Sequence, residues 1–283
     1  MIYDDRSCEL GEGPLWHPLR QQLYWFDILG KRLLTRSGDR PQEWQFDEMV
    51  SAAGWISKDE LLIASESSLF RFNLETGAKS TVAALEANDP STRSNDGRAD
   101  PQGGFWIGTM GKVEGPGSPA QGAIYRFYKG EIRRLFASVA IPNAISFAPN
   151  GKSACFADTV TGCVMRVALD AEGWPKGSAE IYLDLTAEGL TPDGAVIDRN
   201  GVMWLAQWGA SRVAAYAPDG QFLHDVSFDA PHTSCPAFGG DTLYCTSALH
   251  EMSAADRAAH PNAGKTFHAP GIAPGQTEHQ VIL

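Results

Sequence analysis

The chain has 283 residues, with 34 acidic against 23 basic side chains, a formal charge of −11, 43% hydrophobic residues and 20% charged ones. That balance repels phosphate backbones and anionic lipid surfaces, so it argues against nucleic-acid and membrane partners and leaves neutral molecules and cations. The apolar fraction is that of a folded protein, and a chain of this length buries roughly three quarters of the surface it exposes when unfolded.

The N-terminal stretch MIYDDRSCEL holds two aspartates and no apolar h-region, so it does not read as a secretory signal. No apolar run approaches the roughly 20 residues of a membrane helix. Both observations predict a cytoplasmic chain. The five cysteines, Cys8, Cys155, Cys163, Cys235 and Cys245, are odd in number and form no CxxC pair. They read as reduced thiols, not as a disulfide framework or a thiolate zinc site, although Cys155 and Cys163 are placed to face each other across a hairpin. Residues 8–18 read CELGEGPLWHP, with Glu12 between Gly11 and Gly13 and Pro14 next. Glycine admits backbone angles closed to other residues and proline fixes its own φ, so this is a rigid turn presenting one carboxylate. A solvated loop glutamate needs no such frame.

From here on, short apolar or aromatic runs recur, each followed by a turn and a second run. They are LYWFDILGKRLLTRS from Leu23, ELLIASESSLFRFNLETG from Glu60, GGFWIGTM from Gly103 with GAIYRFYKG from Gly122, KSACFADTVTGCVMRVALD from Lys152, GVMWLAQWGASRVAAYAPDG from Gly201 and DTLYCTSALH from Asp241. Aligning Trp25, Leu62, Trp106, Phe156, Trp204 and Tyr244 gives six units at steps of 37, 44, 50, 48 and 40 residues. Several short strands per unit at a period of roughly 40–50 residues is the pattern of a β-propeller. The competing architecture, a β-sandwich, uses about 100 residues for its seven strands. The sequence therefore predicts an all-β, six-bladed β-propeller. No linker divides it, which predicts one domain over residues 1–283.

In a propeller, loops from different blades meet at one mouth of a central channel, so the informative residues are polar ones near the inner strands. Four segments qualify: GEGPLW with Glu12, STRSNDGRAD with Arg93, Asn95 and Asp96, IPNAISFAPNG with Asn143, and TPDGAVIDRNG with Asp193. The last three each precede an inner-strand candidate and an Asp/Asn-Gly type turn. The distance to the aligned strand residue is 13 for Glu12, 11 for Asn95, 13 for Asn143 and 11 for Asp193. Singly, each is ordinary turn chemistry. The shared phase in four units is what sets them apart. Glu, Asn and Asp offer only oxygens to a cation, which suits hard divalent ions, and a set this small leaves open coordination positions.

At these residues the chain resembles the SMP-30/gluconolactonase (regucalcin-like) family. The resemblance is carried by LGEGPLW at 10–16, RSNDGRADPQGGFWIGTM at 93–110, PNAISFAPNGKSACFADT at 142–159, PDGAVIDRNGVMWLAQWG at 192–209 and SCPAFGGDTLYCTSA at 234–248. It implies a six-bladed propeller with one divalent metal in the channel and hydrolysis of a small-molecule sugar lactone to a sugar acid. By position it puts the metal ligands on Glu12, Asn143 and Asp193, substrate contacts on Arg93 and Asn95, and the general base on Asp193. The metal would polarise the lactone carbonyl, and three oxygen ligands leave calcium, zinc, magnesium, manganese and iron all open. One departure bears on substrate choice. Some members carry a glutamate just before the QGxxY strand, where this chain has Ser118, with Glu114 further back. The readings that compete are a metal-dependent esterase or phosphotriesterase, and a calcium-binding regulatory propeller without turnover. No Ser-His-Asp constellation and no GxSxG is visible. His17 reads as a structural histidine and Asp158 as a residue behind the site.

Overall fold

Pleated strands bury side chains alternately on two faces, and a sheet buried on both faces needs apolar residues throughout. The apolar runs of this chain become such strands. A computed structural model describes residues 1–112 and 122–283; the expectations for Glu114 and Ser118 lie outside them. Among the described residues there are six four-stranded antiparallel sheets. Their innermost strands are Gly11–His17, Val50–Trp55, Thr92–Ala99, Pro142–Phe147, Thr191–Ile197 and Thr233–Gly239, numbered blades 1 to 6 in that order. Each lies beside its counterpart in the next blade, and the sixth returns to the first. The protein is a six-bladed β-propeller.

The aligned residues Trp25, Leu62, Trp106, Phe156, Trp204 and Tyr244 sit one strand further out than the sequence reading placed them, on the second strand of each blade. The reason is burial. A second strand is covered on both faces by neighbouring blades, so its sequence is apolar throughout and stands out. Trp106 meets Phe147 edge to face across the blade 3/blade 4 boundary at 5.5 Å, and Trp204 meets Phe238 likewise at 5.8 Å. The innermost strands face the channel and carry the polar residues.

The ring closes in blade 6, where Ile2–Asp4 pairs with Thr266–Ala269 as the outermost strand. In blades 3 and 5 the first and second strands are joined by Asx turns. Asp100 Oδ1 accepts from the Gln102 and Gly104 amides, and Asp198 Oδ1 from the Asn200 and Val202 amides. These turns share one end of the channel, and the C-terminal segment covers it. There Gln276 Nε2 donates to the carbonyls of Phe147 and Ile197, the Val281 amide to Trp55, and Glu278 pairs with Arg98. Cys155 pairs in register with Arg166, and Cys163 with Asp158, so the two thiols do not face each other. All five cysteines are free.

Candidate functional site

Glu12, Arg93, Asn95, Asn143 and Asp193 all line one cavity of about 360 Å³ at the other end of the channel, within the usual size of a small-molecule site. They come from blades 1, 3, 4 and 5 and are only 3–6% exposed, so their charges and dipoles act largely without bulk water. Their local setting differs from the sequence reading. They stand inside the innermost strands, each at or beside a bulge, rather than in turns ahead of those strands. Pairing slips between Glu12 and Leu15, Ser94 and Gly97, Asn143 and Ser146, and Pro192 and Ala195. A bulge adds a residue to one strand and re-aims its side chains, here into the channel mouth.

Two forms of bulge alternate. In blades 1 and 4, Glu12 and Asn143 are the last paired residues, and the next residue turns left-handed, Gly13 at φ 52° and Ala144 at φ 55°. In blades 3 and 5, Asn95 and Asp193 lie within the bulge itself. The spacings of 13 and 11 residues noted in the sequence also reflect register: Trp25 and Phe156 lie opposite the bulge, whereas Trp106 pairs with Arg98 and Trp204 with Val196 beyond it. The glycine after Glu12 is required twice over: its φ suits glycine, and a Cβ there would collide with the Ser51 carbonyl oxygen. Its amide donates back to Glu12 Oε2 at 3.1 Å. Ala144 holds the same backbone angle with a methyl group, fully buried, which is local strain beside a ligand-sized cavity.

Burial, then repulsion from Asp96, pushes the Glu12 carboxyl up to about 8. Burial, then Glu12 and Asp96, holds Asp193 well above the ordinary carboxylate range. Asp96 itself is raised by burial to about 6. Arg93 opposes the shifts at Glu12 and Asp193 but does not cancel them. Three like charges in a site withdrawn from water favour an added cation.

Hydrogen bonds fix the polar side chains. Arg93 Nη1 donates to the Ser94 carbonyl at 3.0 Å and to Asn95 Oδ1 at 2.8 Å. Asn95 Nδ2 donates to the Pro142 carbonyl at 3.0 Å and to Asn143 Oδ1 at 3.1 Å. Asn143 Nδ2 donates to Thr159 Oγ1 at 2.8 Å. Asp96 Oδ2 accepts from the Ile145 amide at 2.7 Å, so Asn95 and Asp96 together grip the blade 4 bulge on both sides of Asn143.

The rest of the cavity wall was not read from the sequence. Leu10, Met110, Ile141, Val160 and Trp208 add apolar surface to it, and Thr159, His250 and Glu251 add polar groups. Trp208 is stacked on the His232 ring at 4.2 Å. Most of these belong to loops joining second to third strands or blade to blade, where no periodic signal exists. Asp158 accepts from the Ala140 and Ile141 amides and caps the Thr159–Thr161 turn, which lies on the cavity. His17 is fully buried, with Nε2 against the Ser57 carbonyl at 2.9 Å, and does not line the cavity.

The model for the SMP-30/Gluconolactonase/LRE-like region matches residues 10–249. The chain belongs to this family. It is 34% identical over 286 residues to an L-arabinolactonase of Azospirillum brasilense, covering 99% of this chain and 92% of that protein. It is 31% identical to a 6-deoxy-6-sulfogluconolactonase of Pseudomonas putida, over 95% of this chain and 94% of that one. A solved structure described as a calcium-binding protein, regucalcin, from Agrobacterium tumefaciens is 38% identical, with a TM-score of 0.95, covering 100% of this chain and 97% of that one.

Among the described residues no three His, Cys, Asp or Glu side chains gather as a metal cage. The set here is two carboxylates and one amide. It nonetheless fits a hard divalent cation: Glu12 and Asp193 are buried against mutual repulsion, and Asn143 Oδ1 keeps a second lone pair beyond the one taken by Asn95.

Proposed function

We propose that the protein is a lactonase that hydrolyses sugar lactones to sugar acids, with a divalent cation held by Glu12, Asn143 and Asp193. The observation that carries this reading is the convergence of five side chains from four blades on one cavity, in which the carboxylates repel each other. Relatives spanning nearly the whole chain are named as lactonases, and a solved relative as a calcium-binding protein.

The bound cation would supply Lewis acidity to the lactone carbonyl. Asp193 takes a proton from the attacking water, whose oxygen bonds to the carbonyl carbon. With a cation bound, Asp193 would stay the carboxylate, the form that can accept a proton. Collapse of the tetrahedral species breaks the bond to the ring oxygen, which takes up the proton that Asp193 received and leaves as a hydroxyl. Arg93 donates to ring hydroxyls and to the developing oxyanion, and Asn95 Oδ1 accepts from a ring hydroxyl, fixing orientation before the bond forms.

A second reading, hydrolysis of less polar esters by the same groups, draws on the apolar surface of Leu10, Met110, Ile141, Val160 and Trp208. One assay separates the two. Acid release is followed on a panel of pentono- and hexonolactones, aryl esters and a phosphotriester, before and after chelation, with cations added back. The expected outcome is lactone turnover that is lost on chelation and restored by one cation. Turnover confined to aryl esters supports the second reading. Cation binding without turnover on any of them leaves a binding protein.

A further inference from the structure

Every amide at the cavity mouth has two possible orientations, and only one of them puts an oxygen toward a cation. In this protein the choice is fixed from both ends of one hydrogen-bond chain. At one end Arg93 can only donate, so the Asn95 atom facing it is Oδ1, at 2.8 Å. That leaves Asn95 Nδ2 facing the Pro142 carbonyl, which can only accept, and Asn143 Oδ1. At the other end Thr159 Oγ1 lies 2.8 Å from the Pro192 carbonyl. A carbonyl can only accept, so the single hydroxyl hydrogen goes there. Thr159 Oγ1 is then an acceptor toward Asn143, and the atom facing it at 2.8 Å must be Nδ2. Both ends give the same answer for Asn143.

We infer that Thr159 is a positioning residue for the cation site, acting through Asn143. It holds the amide with Oδ1 presented to the cavity, and it ties that amide to the residue preceding Asp193 on the adjacent blade. Its own place is set by Asp158, which caps the turn and accepts from the Ala140 and Ile141 amides. Groups one step behind a ligand commonly govern metal affinity without touching the metal.

The inference rests on the reading of Glu12, Asn143 and Asp193 as a cation site, and the experiment distinguishes the two. Wild type, Thr159→Val and Thr159→Ser are stripped with chelator, checked for folding by thermal unfolding, and titrated calorimetrically with Ca²⁺ and with Mn²⁺. Thr159→Val keeps the shape and loses the hydroxyl, and is expected to weaken binding about 10- to 100-fold. Thr159→Ser keeps the hydroxyl and is expected to bind close to wild type. Should Thr159→Val not fold, Thr159→Ala takes its place with the same expectation. A valine variant that binds as tightly as wild type, or a serine variant as weak as valine, overturns the role of Thr159. A wild type that binds neither cation overturns the site reading itself.

Discussion

The two ends of the channel both bury charge, and they do so in opposite ways. At the closed end Arg98 pairs with Glu278, with side chains 9% and 6% exposed, and Arg126 pairs with Asp100 at 2.6 Å, both completely buried. At the open end Glu12 and Asp193 line a cavity and are raised by burial and then by neighbouring carboxylates, Glu12 by Asp96 and Asp193 by Glu12 and Asp96, with Arg93 opposing the shift at both and Arg98 opposing the burial-driven rise at Asp96. A buried charge with its own partner holds a fold together. Buried like charges beside an empty volume cost stability unless something positive joins them. The difference is what the proposed reading uses: one end holds the fold, and the other is proposed to take a ligand.

Substitutions at the open end should remove chemistry and leave the fold, and the largest effect is expected there. Asp193→Asn keeps an oxygen for the proposed cation but removes the proposed base, so kcat on a lactone should fall roughly 10²- to 10⁴-fold. Cation binding should persist in a weakened form. Near-full turnover in this variant would remove Asp193 from the base role. Substitutions at the closed end should do the reverse. Glu278→Ala leaves Arg98 buried without its carboxylate, and denaturant unfolding should show a loss of about 3–5 kcal/mol. Replacing both partners with apolar residues of similar volume should cost far less. If the single and double variants unfold alike, the Arg98–Glu278 pair is not what holds the C-terminal segment in place.

The fold was legible because burial wrote it into the second strands. Trp25, Trp106 and Trp204 are buried, each against a neighbouring blade, and with Leu62, Phe156 and Tyr244 their spacing marks six units. The same loudness misled about position, since the innermost strands, half facing the channel, are quieter. Glu12, Asn95, Asn143 and Asp193 were legible through the glycines and prolines around them, which serve the bulges that turn these side chains inward. Thr159, Trp208, His250 and Glu251 were not. They reach the cavity through loop geometry and cross-blade contact, which no local pattern records. The outermost strand Ile2–Asp4 is three residues long, and its partner lies at the other end of the chain.

In the proposed reading the open end is a cation site held in tension by its own carboxylates. With Glu12 raised to about 8 and Asp193 also raised, the cation-free site carries protons at pH 7 that a bound cation must displace. Calorimetric titration of a divalent cation at pH 7, repeated in buffers of different ionisation enthalpy, counts those protons. Release of about one proton or more per cation, shrinking as the pH is raised above 8, is the predicted result. Tight binding with no proton release, or no binding at all, would contradict it.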